Sequence, residues 1–295
     1  MSNESLSTGW TDRLPVIRSL LFPFTLSLIV ACLLVVSAIA GLTFGQRGVY
    51  EPNPATLPTF LTQDVITLLL GVPLLIASMW TARHGSVRGL LLWMGTLFYF
   101  AYVYSYTVLG TWLAPLYLVY VAIISMSVYS LIYILVSADA DAVKTRFSSR
   151  TPLRWAGGFL MAISVLLGTM WVVKIVGYTL SGTAPTPQEF VIFPLDLIIA
   201  FPSLFWGGLW LWRKQPLGYV VGGIVLLKSA AEGLTLVAQT AATLIMSGIG
   251  DALLPAYALV GFGGLALLIV YLHGVRVTPR VGNTRTLQAS APARA

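Results

Sequence analysis

Two ionisable side chains, Lys228 and Glu232, interrupt the apolar run IVLLKSAAEGLTLVAQTAATLI one helical turn apart. At about 100° per residue, Glu232, Thr235 and Gln239 fall within roughly 40° of Lys228, and Thr243, at roughly 60°, extends the same face. An ammonium, a carboxylate, a hydroxyl and an amide on one stripe have the chemistry of a seam for a proton or small solute. The pair can share a proton, or Glu232 can take and release a partner while Lys228 balances its charge. The plainer alternative is a pair that only ties its helix to neighbours through hydrogen bonds. A lysine beside a carboxylate also suits a retinal Schiff base, but nothing else in the chain resembles a rhodopsin.

Three further charged residues are secondary candidates. Asp64 and Asp196 each stand at the start of an apolar run, where a carboxylate caps free N–H groups and meets the positive end of the helix dipole. Small residues follow on the same faces, Gly71 and Ser78 below Asp64 and Ala200, Ser203 and Gly207 below Asp196, so both aspartates are expected to turn inward. Lys174 is placed to reach Asp196 across the connecting loop, or to snorkel to the interface. The segment FYFAYVYSY supplies Tyr99, Tyr102, Tyr104 and Tyr106, and Tyr117 and Tyr120 follow. Most of these read as an interfacial aromatic belt. Tyr99 is the deepest and is expected to meet the Lys228 and Glu232 pair.

Other chemistries find no support. Cys32 is the only cysteine, and the two histidines, His84 and His273, lie outside the apolar runs or at their edge. There is no Walker loop, nucleophile elbow or HExxH motif. No catalytic residue, metal or cofactor is therefore assigned, and the chain reads away from an enzyme; a membrane-embedded enzyme acting on a lipid or quinone would have only Tyr99 and Glu232 as acid and base.

The elements that must position these residues follow from composition. The 295 residues are 57% hydrophobic and 9% charged, against roughly a quarter charged in a soluble domain. Apolar stretches of about 20 residues match the ~30 Å hydrocarbon core, and eight occur, at 20–42, 65–81, 89–106, 113–136, 155–180, 195–212, 217–245 and 253–273. In lipid these must be helices, so the fold class is an all-α integral membrane protein. The first run is too long for the core of a cleaved signal peptide.

Fourteen of the 17 lysines and arginines fall on one side of these spans, and only Arg47 lies in a loop on the other. The positive-inside rule then puts both termini in the cytoplasm of a cell-membrane protein. Those charges are topology signals and point to no nucleic acid.

The runs from Asp64 and from Asp196 share an internal proline (Pro73, Pro202), a short basic loop and a glycine (Gly89, Gly218). That pattern reads as two parallel four-helix repeats related by an axis along the membrane normal. The expected organisation is a cytoplasmic segment 1–19, a first repeat 20–136, a basic linker 137–154, a second repeat 155–273 and a disordered cytoplasmic tail 274–295. The function that fits best is binding or transport of a small solute or proton through the polar seam, in contact with the lipid bilayer. A structural or regulatory subunit of a membrane complex is the alternative, with homo-oligomers or membrane-complex partners in view.

Overall fold

The structure, a computed structural model, describes residues 14–50, 56–110 and 115–276, without the Gln46 side chain. Eight helices among them are long and apolar enough to cross a membrane: α1 (Leu21–Phe44), α2 (Leu57–Arg83), α3 (Val87–Gly110), α4 (Tyr117–Ser137), α5 (Leu153–Ser181), α6 (Pro187–Trp212), α7 (Pro216–Ser247) and α8 (Leu254–His273). The described residues form no β-strand beyond two isolated antiparallel bridges, Val16 with Ala138 and Phe147 with Val275. An all-helical chain suits apolar segments of this length, since a helix satisfies its backbone groups internally where no water can.

Helices α2 and α6 begin well before the apolar runs that suggested them. Their first turns hold Pro58 and Pro187, where a missing N–H removes no helical bond. At α6 the Thr186 hydroxyl accepts from the Glu189 N–H and Glu189 accepts from the Thr186 N–H, a capping box. Asp64 and Asp196 therefore lie inside their helices, and the expectation that they cap helix ends is overturned.

Each of these helices widens into a five-residue π turn, Thr67–Gly71 in α2 and Asp196–Ala200 in α6. In both, a proline is the second residue after the turn, Pro73 and Pro202. A proline ring displaces the carbonyl four residues back, and a π turn accommodates that displacement without breaking the helix. The matching prolines pair Asp196 with Thr67, not with Asp64, which lies about one turn earlier. Both π turns open on a buried polar residue, Thr67 and Asp196. A third π turn, Leu259–Gly263 in α8, brings Gly261 against the backbone of Gly233 and Leu234 on α7.

The first four helices close a ring in which α1 also touches α4, and the last four do the same with α8 touching α5. The rings meet at α3 and α7, whose apolar windows are 83% and 67% buried against 22–44% for the other spans. Gly95 on α3 makes this crossing close, since a Cβ there would lie 2.6 Å from the Leu227 side chain.

At one end of the bundle, the basic end, Val16 pairs with Ala138 and Ile17 N–H donates to Ser137 O at 2.8 Å. Phe147 pairs with Val275 there, Arg276 N–H donates to Arg146 O at 2.7 Å, and Arg88 Nη2 donates to Val275 O at 2.6 Å. Residues 274–276 thus belong to the packed bundle, beyond the boundary at 273 drawn from composition. The expected disorder of the rest of the tail, and most of the N-terminal segment, lie outside the described residues.

Candidate functional site

The polar stripe on α7 lines a cavity of about 560 Å³ that also takes walls from α2, α3, α5, α6 and α8. Lys228, Glu232, Thr235, Gln239 and Thr243 all face it, in the order that the helical spacing dictates. At the end of the bundle opposite the basic end, its rim includes Thr59, Glu189 and Asp251; at depth it reaches Lys228 and Leu204. Most of the lining is apolar, as is usual for a site that takes a small molecule.

Lys228 is only 5% exposed, and its Nζ lies 3.5 Å from the centroid of the Tyr102 ring. Among the described residues no carboxylate comes within 4.0 Å of it, the ion-pair limit. A desolvated ammonium on an aromatic face gains about 2 kcal/mol, so the ring serves as its neighbour. The Tyr102 hydroxyl donates to Asp196 Oδ1, and Trp171 Nε1 donates to Asp196 Oδ2 at 2.7 Å. One tyrosine therefore joins the ammonium to the carboxylate, by its face and by its hydroxyl. Glu232 stands within electrostatic reach of both Lys228 and Asp196. Its Oε2 is sealed from solvent and has no hydrogen-bond partner.

A second network lies nearer the rim. Gln239 Nε2 donates to Gln63 Oε1 at 3.1 Å, and Gln63 Nε2 donates to the Tyr99 hydroxyl at 3.1 Å. Tyr99 shares a 2.9 Å hydrogen bond with Thr235, so three hydrogen bonds link four side chains from α2, α3 and α7. Removing the Tyr99 hydroxyl leaves the buried Thr235 hydroxyl without this partner and Gln63 Nε2 with only Thr67 Oγ1, at 3.3 Å. Tyr99→Phe is therefore expected to destabilise the protein by about 1–3 kcal/mol. Thr235→Val is expected to cost less when made on top of it than alone, because the two share one bond. Reversible unfolding of the two single variants and the double variant checks this, and strictly additive losses contradict it.

Several sequence expectations change here. Tyr99 meets the stripe at Thr235, and the ring against Lys228 is that of Tyr102. Tyr102, Tyr104 and Tyr120 are buried within the bundle, as expected of Tyr99 alone, and form no interfacial belt; Tyr104, for example, is hydrogen-bonded to Ser37 of α1 at 3.1 Å. Lys174 pairs with Glu189 at the cavity rim, not with Asp196, because the start of α6 brings that carboxylate closer.

Asp64 lies outside this cavity, buried against α1, where the Tyr50 hydroxyl donates to its Oδ2 at 2.7 Å. Burial, with Asp64 beside it, pushes the Tyr50 phenol upward, so Tyr50 stays protonated and remains the donor. Gly41 leaves the space, since a Cβ there would overlap the Asp64 carboxylate.

Sequence reasoning missed Gln63, Tyr102, Trp171 and Glu189. Tyr102 is one turn from Tyr99 on α3 and was available from helical spacing. Glu189 was available from the Thr186-Pro-Gln-Glu capping pattern. Gln63 and Trp171 carry no comparable local signal. Comparison of the chain with family models, with curated proteins and with solved structures finds no match.

Proposed function

We propose that the chain is a cell-membrane protein of two parallel four-helix units, 20–136 and 155–273, with both termini cytoplasmic. In this reading it binds or moves a small solute or proton through the seam that begins at Lys228. The observation that carries the reading is the cavity, which connects the mid-helix charges of α7 with the end of the bundle opposite the basic loops. A purely structural Lys228 and Glu232 pair would be expected to face each other in dry packing. Here Lys228 rests on Tyr102, and Glu232, a cavity-lining residue, has an oxygen with no hydrogen-bond partner.

The duplication has support at matching positions. Gly89 abuts the backbone of Ala82, and Gly218 abuts that of Leu211; both pairs match in the register that aligns Pro73 with Pro202. Each unit is also closed by a bridge from the residues before its first helix to those after its fourth. In this register Tyr99 and Lys228 take equivalent places on the two central helices.

Cysteine accessibility tests the seam and its orientation together. With Cys32→Ser as background, Thr243→Cys, Gln239→Cys and Glu232→Cys are expected to react with a small, membrane-impermeant thiol reagent applied to the outside of cells, at rates falling with depth. The reagent applied from the cytoplasmic face is expected to leave them unmodified. Reaction only from the cytoplasm would reverse the topology, and three thiols inert from both faces would remove the seam.

A further inference from the structure

We infer that the ligand of this cavity is a monovalent organic cation bearing N–H groups on an apolar body, a primary or secondary ammonium; the inference rests on the reading of the cavity as a solute site. The deep part of the cavity holds three ionisable side chains, Lys228, Glu232 and Asp196. The hydrogen-bonding needs of Asp196 are met on both oxygens by Tyr102 and Trp171. The lysine charge is placed on the Tyr102 ring and forms no ion pair among the described residues. What the site lacks is a donor for the carboxylate of Glu232, a lining residue whose Oε2 is closed to solvent and has no hydrogen-bond partner. An unpaired buried carboxylate oxygen costs more than an unpaired neutral group, and an ionised donor satisfies it best.

With all three groups ionised the deep site carries one excess negative charge, so a single positive charge neutralises it. An anion would have to approach Lys228 beside two carboxylates, and a neutral alcohol would supply a hydrogen bond but leave the charge. A quaternary ammonium has the charge and no N–H to offer the carboxylate. The remaining walls, including Ile163, Leu167, Met170, Leu204 and Leu236, suit an apolar body. A cavity of about 560 Å³ falls within the roughly 300–1,000 Å³ range of small-molecule sites.

The test uses four probes of one shape on the purified full chain: 2-phenylethylammonium, its N,N,N-trimethyl analogue, 2-phenylethanol and 3-phenylpropionate. Binding is read by calorimetry and by the rise in melting temperature that a ligand of the folded state produces. The primary ammonium is expected to bind at least tenfold more tightly than each of the other three. Glu232→Gln is expected to weaken it at least tenfold, while Asp141→Asn, on the short helix Ala140–Thr145 at the basic end, leaves its affinity unchanged. Equal or tighter binding of the quaternary, neutral or anionic probe overturns the inference, as does an unchanged affinity in Glu232→Gln. The probe comparison is made on the wild type and stands even where Glu232→Gln fails to fold. If no probe binds while the introduced cysteines react from outside, the cation class is wrong and the seam survives. If those cysteines are inert as well, the solute-site reading itself has failed.

Discussion

Gly218→Leu is expected to destabilise the packed form strongly. A Cβ at position 218 would overlap the Trp210 carbonyl and the Leu211 nitrogen on α6, atoms of a helix backbone that cannot rotate aside as a side chain does. Overpacking in a core costs about 1–3 kcal/mol, occasionally more, and a clash with backbone belongs at the upper end. At roughly 2–4 °C per kcal/mol for chains somewhat shorter than this one, the melting temperature should fall by about 10 °C, with loss of monodisperse protein. Helix propensity alone predicts the opposite sign, since leucine is favoured over glycine by up to about 1 kcal/mol within a helix. Gly89→Leu should behave in the same way, its Cβ lying 2.5 Å from Ala82 N. Gly177→Leu supplies the contrast, because nothing lies within 4 Å of a Cβ there. Size-exclusion profiles and melting curves of the three variants decide it, and a Gly218→Leu protein that melts like Gly177→Leu would refute the close crossing of α6 and α7.

The second large effect is expected at Asp196. Asp196→Ala strips the acceptors from the Tyr102 hydroxyl and the Trp171 N–H together. Each buried donor left unmet costs about 1–3 kcal/mol, so the loss should reach about 2–6 kcal/mol and exceed that of any single hydroxyl removal in the cavity. Tyr102→Phe keeps the ring under Lys228 and should cost less than Tyr102→Leu, which removes the cation's neighbour as well. In the double variant Asp196→Ala, Tyr102→Phe, one of the two stranded donors no longer exists. Its loss should therefore fall short of the sum of the singles by about 1–2 kcal/mol. Unfolding free energies that add without coupling would show that the Tyr102 to Asp196 bond contributes nothing.

Much of this arrangement is legible in the chain. The eight helices follow from apolar length alone, and the stripe of Lys228, Glu232, Thr235 and Gln239 follows from helical spacing, because both are local properties of the sequence. The partners of the stripe are not local. Tyr102 reaches Asp196 across 94 positions, and Gln63 reaches Gln239 across 176; no pattern within one helix reveals which face of a neighbour it will meet. The errors at Asp64 and Asp196 have a different cause. Hydropathy marks where a span becomes apolar, not where the helix starts: α6 starts at the Thr186 and Glu189 box, two turns ahead of its apolar run, and α2 starts at Leu57 with Pro58 in its first turn. The same shift explains the mistaken partner for Lys174, since it puts Glu189 where a loop was expected. The other tyrosines misled because Tyr is common at interfaces, while here Tyr102 and Tyr104 have hydrogen-bonding partners within the bundle.

The two bridges at the basic end also set an order in which the protein can be completed as it is made. Val16 and Ala138 flank α1 to α4, so every contact within the first unit is available once residue 138 has been synthesised. The second ring is different, because Val275 pairs with Phe147 of its own ring and its carbonyl also accepts from Arg88, in the first turn of α3 in the other. This link between the rings thus becomes available only with the last described residues, and Arg88 cannot bond to Val275 until nearly all of the described chain has left the ribosome.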